Sequence, residues 1–316
     1  MRYGFLLPLV VAFGAAPAVP QDVPTIAGQG DAAEELVELG ALSTRMTVPV
    51  SINGTAPRPF VIDTGAERSV VSRQLAGQLG LAAGPQVRLT TMTGSTQVQT
   101  VVVPSLSVGP VRDARAFNAP ALEAVHLGAH GLLGVEQLRD HMVSIDFARR
   151  EMAVRPSRKM GYGGPQSSDP GEIVIVARNR LGQLIVTEAE FEGHRVTVVL
   201  DTGSQISMGN LALQRRLRRI PLQGPIELTS VTGEKLKVNY HIAARVRMGG
   251  VVVRGLPVAF ADIPPFAHFG LQDRPALMLG MDALRAFRRV EIDFPARRVR
   301  FLMDRSPTPA TGSRIG

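Results

Sequence analysis

Residues 60–66 read Phe60-Val61-Ile62-Asp63-Thr64-Gly65-Ala66, and residues 198–204 repeat the pattern as Val198-Val199-Leu200-Asp201-Thr202-Gly203-Ser204. Each copy is a short apolar run, typical of a buried strand, that ends abruptly in a carboxylate, a hydroxyl and a glycine. A carboxylate at the end of a buried strand is costly in free energy unless the protein uses it there. Two such acids, one in each half of the chain, indicate a site that the two halves share.

The duplication extends well beyond this stretch. In both halves a strand and a turn precede the aspartate. Four features follow it in the same order: a leucine-bearing segment, a Leu-Thr-x-x-Thr-Gly motif, an apolar pair with a glycine, and a strand. The matched stretches are residues 47–54 with 184–193, 89–94 with 228–233, 132–138 with 278–284, and 143–147 with 290–294. A repeat of this length indicates a duplicated domain rather than a solenoid of short units.

Together these motifs resemble the aspartic peptidase superfamily, whose marks are Asp-Thr-Gly after an apolar run, a flap hairpin, and two apolar residues followed by a glycine. All three marks occur twice between residues 47 and 302. Asp-Thr-Gly-Ala at Asp63 is similar to retroviral-type enzymes, which pair two identical subunits, and Asp-Thr-Gly-Ser at Asp201 is similar to pepsin-type enzymes, which fuse two lobes. The resemblance implies a bacterial, exported, single-chain protease. Its fold would be all-β and bilobal: two duplicated retropepsin-like β-barrel lobes with short helices and an active-site cleft between them.

Composition and the positions of glycine- and proline-rich stretches divide the chain into six segments. The length of 316 residues suffices for two domains that each bury a core. A run rich in glycine, proline and serine predicts the linker between them. The predicted segments are a signal peptide (1–18), an N-terminal lead (19–40), the first lobe (41–156), the linker (157–171), the second lobe (172–303) and a disordered tail (304–316).

The N-terminus predicts an exported protein, periplasmic or secreted. Arg2 is followed by an apolar run at residues 5–13, which is too short for a transmembrane helix. Ala16-Pro17-Ala18 then fits a signal-peptidase cleavage site. The chain has no cysteine, so a lipoprotein anchor is excluded, and we expect no stable membrane anchor after cleavage. The alternative is an uncleaved anchor.

Charge and side-chain chemistry exclude several function classes. The net charge is +8, and four of the positive residues are clustered at residues 215–219, which we interpret as a solvated helix face. With only 5% aromatic residues and no aromatic-plus-basic platform, we expect no nucleic-acid partner. His126 and His130 flank Leu-Gly-Ala in a predicted loop, so we interpret them as surface histidines and expect no metal site.

The predicted catalytic residues are Asp63 and Asp201. Peptide hydrolysis needs a nucleophilic water and a protonated leaving amine, and two carboxylates that share one proton supply both, because like charges in contact cannot both ionise. One carboxylate acts as the general base on the water, and the protonated one polarises the scissile carbonyl. Since the pair titrates as a unit, neither role is assigned to one aspartate from this argument alone.

The neighbouring residues have predicted tasks as well. Glycines after each aspartate let the chain turn sharply and bring an N–H group to the carboxylate. The Ser204 hydroxyl could hydrogen-bond a carboxylate whereas Ala66 could not, so we expect Asp201 to be the ionised member. By resemblance, the two threonines interlock across the lobes, two further glycines let the chain pass beneath each loop, and the flap tips close over a peptide. These supporting residues are Thr64, Gly65, Ala66, Thr202, Gly203 and Ser204 in the loops, Thr93, Gly94, Thr232 and Gly233 in the flaps, and Gly134 and Gly280 beneath the loops.

The lobes should consist mostly of strands, with two short helices each. The predicted helices are residues 72–79 and 135–139 in the first lobe and 210–219 and 281–287 in the second. Neither flap tip carries the tyrosine of pepsin-type enzymes, which favours two retroviral-style flaps.

The sequence thus predicts an aspartic endopeptidase that hydrolyses peptide bonds and binds an extended peptide or protein substrate. It would need no cofactor and would act as a monomer with intramolecular lobe pairing. Two alternatives stay open: a catalytically silent peptide-binding or scaffold module on the same fold, and an obligate dimer in which lobes from two chains pair.

Overall fold

The computed structural model describes residues 46–109, 111–157, 172–176, 178–180, 183–217 and 221–303, and the backbone of three short strands nearer the N-terminus. The predicted signal peptide, lead, linker and tail lie outside the described residues, apart from those three strands and Ser157. The three strands are β1 (Gly4–Phe5), β2 (Leu9–Val10) and β3 (Thr25–Gly28).

The first half of the chain forms strands and three short helices. The strands are β4 (Thr47–Ile52), β5 (Arg58–Ile62), β6 (Val70–Ser72), β7 (Ala83–Thr91), β8 (Gly94–Val103), β9 (Leu106–Val108), β10 (Val111–Asp113), β11 (Phe117–Leu122), β12 (Gly131–Leu133), β13 (His141–Asp146) and β14 (Glu151–Pro156). The helices are α1 (Arg73–Gln78), α2 (Ala124–Leu127) and α3 (Val135–Leu138).

The second half repeats this arrangement. Its strands are β15 (Glu172–Val176), β16 (Arg178–Arg180), β17 (Gln183–Phe191), β18 (His194–Leu200), β19 (Ser207–Gly209), β20 (Gln223–Ser230), β21 (Lys235–Ala243), β22 (Val246–Met248), β23 (Val251–Arg254), β24 (Leu256–Phe260), β25 (Ala276–Leu279), β26 (Arg289–Asp293) and β27 (Arg298–Leu302). Its helices are α4 (Leu211–Arg216), α5 (Pro264–His268) and α6 (Met281–Leu284).

The two lobes have the same sheet topology. In the first lobe the strand order is β7-β8-β11-β6-β12-β5-β4-β9-β10, and in the second it is β20-β21-β24-β19-β25-β18-β17-β22-β23. The predicted all-β, bilobal fold is therefore confirmed, and the internal sequence repeat corresponds to a structural repeat.

A third sheet joins the lobes. Its order is β14-β13-β26-β27-β15, so β13 of the first lobe pairs with β26 of the second lobe. Val143 lies opposite Ile292 and Ile145 opposite Val290, and these four side chains are at most 1% exposed. The largest cluster of buried hydrophobic residues consequently runs from one lobe through this sheet into the other.

Local sequence signals account for the ends of several elements. The strand β4 buries alternate residues, Val48, Val50 and Ile52, as a sheet with one face on the core requires. The helix α1 begins after Ser72, whose Oγ accepts a hydrogen bond from Leu75 N at 3.1 Å, and α4 begins after Asn210 in the same way. All four predicted helices are present, but each ends earlier than predicted; residues 218–220 lie outside the described residues.

The helices α2 and α5 are additional, because the sequence predicts only two helices in each lobe. The helix α2 overlaps the predicted loop at residues 126–130. Each consists of little more than one turn and ends at a glycine: Gly128 (φ 68°) follows α2 and Gly270 (φ 62°) follows α5. A single turn has too few residues to show helical periodicity in the sequence.

Candidate active site between the lobes

Both predicted catalytic aspartates lie at the end of a central strand, where the lobes meet. Asp63 follows β5 and Asp201 follows β18, and each side chain is at most 1% exposed. Asp63 N donates to Leu133 O at 2.9 Å, and Asp201 N donates to Leu279 O at 3.0 Å. A hydrogen bond to the neighbouring parallel strand thus fixes the backbone position of each aspartate.

Two threonines interlock the aspartate loops through four hydrogen bonds. Thr64 N donates to Thr202 Oγ1 and Thr202 N donates to Thr64 Oγ1, both at 3.1 Å. Each hydroxyl in turn donates to a carbonyl of the opposite lobe: Thr64 Oγ1 to Leu200 O at 2.9 Å and Thr202 Oγ1 to Ile62 O at 2.7 Å. The structure therefore brings together the two threonines predicted to interlock, and their bonds hold the aspartates in one place.

The glycines after the aspartates are required by the closeness of the opposite carboxyl group. A Cβ atom on Gly65 would lie 2.7 Å from Asp201 Cγ, and one on Gly203 would lie 2.3 Å from Asp63 Cγ. Gly65 N also donates to Asp63 Oδ1 at 2.9 Å, and Gly203 N donates to Asp201 Oδ1 at 3.0 Å. Each loop consequently binds its own carboxylate and lies directly against the other one.

Ala66 and Ser204 support their aspartates in the same way, which corrects one expectation. Ala66 N donates to Asp63 Oδ1 at 3.0 Å and Ser204 N donates to Asp201 Oδ1 at 3.1 Å. The Ser204 hydroxyl donates instead to Ile206 O at 2.6 Å. The predicted asymmetry of the dyad through this hydroxyl is wrong, because the nearby carbonyl takes up its only proton.

The glycines Gly134 and Gly280 lie beneath the two loops. A Cβ atom on Gly134 would be 2.5 Å from the carbonyl carbon of Arg68, and one on Gly280 would be 2.8 Å from that of Ile206. Both contacts are with backbone atoms, which have no room to move aside. A side chain at either position would therefore push the loop away.

Two serine–carboxylate pairs brace the loops from below and were missed by the sequence reasoning. In the first lobe Ser69 N donates to Glu136 Oε1 at 2.8 Å. In the second lobe Ser207 N and Ser207 Oγ donate to the Asp282 carboxylate at 2.8 and 2.7 Å. The signal was present in the repeat, since a serine follows each Asp-Thr-Gly at the same distance and an acid follows each lower glycine by two residues.

Burial controls the protonation of these acids. Burial raises the pKa of Asp282 from its ordinary value of 3.8 to about 6, against the opposing effect of the Ser207 N–H and hydroxyl donors. Burial likewise raises the pKa of Glu136, although the Ser69 N–H favours its charged form. Each acid thus accepts hydrogen bonds from the serine that follows the aspartate loop of its own lobe.

The predicted flap residues form the tips of two hairpins, β7–β8 and β20–β21. Gly94 (φ 148°) and Gly233 (φ 90°) adopt backbone conformations that favour glycine. Thr93 Oγ1 of the first tip donates to Glu234 Oε2 of the second at 2.5 Å. The structure thus brings the two flap tips into contact with each other.

Further contacts between the lobes involve histidines. His268 Nε2 of α5 lies 2.7 Å from Glu67 Oε1, four residues after Asp63. His126 is half-buried rather than fully exposed, because its ring lies against the second flap tip, where a Cβ atom on Gly233 would be 2.6 Å from Nε2. Neither contact has a local sequence signal, since the partners are far apart in the chain.

Within the described residues, no group of three or more histidine, cysteine, aspartate or glutamate side chains is arranged to hold a metal ion. The same part of the chain contains no helix that is both long and apolar enough to cross a membrane.

The comparisons with known proteins agree with this geometry. The sequence model described as "Aspartyl protease" matches residues 48–136 and, a second time, residues 187–283. The two matches cover more than half of the chain, so the chain belongs to the aspartyl protease family. The predicted membership of the aspartic peptidase superfamily, retropepsin-like, is confirmed.

A solved structure is also similar. It is the crystal structure of a retropepsin-like aspartic protease from Rickettsia conorii, with 19% identity and a TM-score of 0.30. The similarity covers 42% of this chain and 90% of that chain. Among curated proteins no match was found.

Proposed function

We propose that the chain is an aspartic endopeptidase whose Asp63 and Asp201 activate one water molecule between them. The observation that carries this proposal is the reciprocal close approach of the two loops, in which each glycine backbone lies against the other loop's carboxyl group. Because each carboxyl group lies against the loop that carries the other, we expect the pair to share one proton, since two carboxyl groups in contact cannot both ionise. That arrangement supplies a base and an acid at the same place.

In the proposed reaction the ionised carboxylate removes a proton from the water, whose oxygen attacks the scissile carbonyl carbon. The protonated carboxyl group donates a hydrogen bond to the carbonyl oxygen, which stabilises the negative charge that develops there. The tetrahedral intermediate then collapses as a proton passes to the amide nitrogen and the C–N bond breaks. The chain's own two carboxyl groups thus account for every proton transfer.

An extended peptide is the proposed substrate, because strands of both flaps already accept one. The backbone of β1 pairs with β7 of the first flap at Leu89 and Thr90, and that of β2 pairs with β20 of the second flap at Thr229 and Ser230. A substrate lying along the same strands would gain main-chain hydrogen bonds from either lobe. Side-chain pockets beneath the flaps would then determine which peptides are cut.

The test is cleavage of a mixed peptide library by the purified chain at acidic and neutral pH, read by mass spectrometry. The native chain should cut, whereas the Asp63→Asn and Asp201→Asn variants should not. If all three proteins bind peptides and none cuts at any pH, the chain is a peptide-binding module and the proposal fails.

We also propose that the protein is exported and acts as a monomer. The N-terminal pattern at residues 2–18 supports export, and the four threonine hydrogen bonds between lobes of one chain support the monomer. N-terminal sequencing of the mature protein from a periplasmic or culture fraction tests the first point, and its mass in solution by light scattering tests the second. A start at residue 1, or the mass of a dimer, would contradict the respective proposal.

A further inference from the structure

The two flap tips have related sequences but differ at one position that the structure places between them. The first tip reads Met-Thr-Gly-Ser and ends at Ser95, and the second reads Val-Thr-Gly-Glu and ends at Glu234. Glu234 Oε2 accepts hydrogen bonds from both flaps, from Thr232 Oγ1 at 2.6 Å and from Thr93 Oγ1 at 2.5 Å. Ser95 Oγ contacts Thr90 Oγ1 of its own flap, at 2.8 Å. Only the second flap therefore carries a carboxylate that reaches across to the other.

The apolar residues beside these threonines anchor the tips reciprocally. Met92 of the first flap is 3% exposed and packs in a cluster of second-lobe residues that includes Ile263 and Phe266. Val231 of the second flap is fully buried and packs in a cluster of first-lobe residues that includes Leu127. The two tips thus cross, each tip rests on the opposite lobe, and Glu234 lies at the crossing.

The Glu234 carboxylate is bound by the hydroxyl groups of Thr93 and Thr232, while the neighbouring charged side chains have other contacts. Lys235, the next residue, pairs with Glu227 at 2.6 Å. His126 of α2 lies against the backbone of Gly233. The hydroxyl groups of Thr232 and Thr93 hold the pKa of Glu234 below its ordinary value of 4.5, which fits a charged acceptor.

We propose that Glu234 is a positioning residue that clasps the flaps over an occupied cleft. We call Glu234, Thr93 and Thr232 the flap clasp. The inference rests on the proposed function, because it assigns the clasp to the peptide-bound state. In the same structure β1 pairs with β7 of the first flap and β2 pairs with β20 of the second, so the clasped state is one in which both flaps pair with extended chain. The clasp would slow the escape of a bound peptide without touching the dyad.

The clasp can be measured independently of activity. The chain has no cysteine, so Gln97→Cys and Lys237→Cys, at exposed positions of the two flaps, take spin labels selectively. Double electron–electron resonance on the full-length chain, with Asp63→Asn to prevent self-cleavage, reports the distance between the flaps. Glu234→Ala should lengthen and broaden this distance distribution, whereas Ser95→Ala, the matched change on the other flap, should not. Identical distributions for both variants would overturn the proposal.

The pH dependence provides a second readout with a defined sign. Since the hydrogen bonds favour the charged carboxylate, the clasp should hold above the ordinary glutamate pKa of 4.5 and open as the pH falls below it. His126, Lys235 and Glu227 lie in the same region of the fold, so the Glu234→Ala variant serves as the reference. The parent should show the longer distance only at low pH, and the variant should show it at every pH. A parent distance that does not depend on pH would contradict a charged clasp.

Kinetics then connect the clasp to turnover on a peptide that the native chain cleaves. Hydrogen bonds to a charged acceptor predict that Glu234→Ala raises KM about three- to tenfold and changes kcat by less than about twofold. Thr93→Val should produce a similar effect, and the double variant should be no worse than either alone. If KM is unchanged in both variants, the clasp does not retain peptides. If the native chain cleaves nothing, the proposed function fails, while the distance measurement still decides whether the clasp exists.

Discussion

The threonine interlock offers the sharpest test of how the site is built. We consider Thr202→Val, which replaces a hydroxyl with a methyl group of nearly the same shape at a position only 4% exposed. The change removes the acceptor for Thr64 N and the donor to Ile62 O, and so leaves two buried backbone groups unsatisfied. At about 1–3 kcal/mol for each of the two unsatisfied groups, the free energy of unfolding should fall by about 2–6 kcal/mol.

The assay is urea denaturation of the Asp63→Asn protein, in which self-digestion cannot occur. Thr229→Val is the matched control, because Thr229 is also a buried threonine (7% exposed) but its hydroxyl has no hydrogen-bond partner within the described part of the chain. That variant should be neutral or slightly more stable. If Thr202→Val and Thr229→Val have the same stability, the interlock contributes nothing and the reasoning is refuted.

Two other predictions concern the loops and the acid beneath them. Gly203→Ala should abolish cleavage, because its Cβ atom would lie 2.3 Å from Asp63 Cγ. The control Gly224→Ala should retain full activity, because nothing lies within 4 Å of that Cβ position. Equal activity of the two variants would show that the close approach of the loops is unimportant. Burial raises the pKa of Asp282 to about 6, so the protonated acid favours folding, and stability should fall by up to ~3 kcal/mol as the pH rises from about 4 to about 6. In an Asp63→Asn, Asp201→Asn background, Asp282→Asn should remove this contribution and leave that of Glu136, whose pKa is also raised by burial. A pH dependence of unfolding as steep as that of the parent would contradict the assignment.

The sequence predicted those parts of the site that depend on short, repeated signals. Asp63 and Asp201 could be found because an acid after a buried strand is unusual, and because the repeat gives two of them. The helices α1 and α4 could be predicted from Ser72 and Asn210, whose side chains cap the first turn within a few residues of themselves. In these cases the residue and its hydrogen-bond partner are neighbours in the chain, or the motif occurs in both halves of the sequence and can be recognised by its repetition.

The parts that could not be predicted depend on contacts between residues distant in the chain. His268 meets Glu67, and Glu234 meets Thr93, only after the two lobes have packed together. The pairing of β13 with β26 likewise requires both lobes, although each strand was expected on its own. The Ser204 hydroxyl shows a subtler failure: the residue type allows a bond to the carboxylate, but the local backbone places the Ile206 carbonyl within reach.

The most direct test of the central claim is the rate at which one fixed peptide is cleaved by four proteins. These are the native chain, Asp63→Asn, Asp201→Asn and the double variant. If the two carboxyl groups act as one unit, each single variant should lose essentially all activity, and the double variant should be no slower than either. A single variant that retains substantial activity, or losses that multiply in the double variant, would contradict a dyad shared between the lobes.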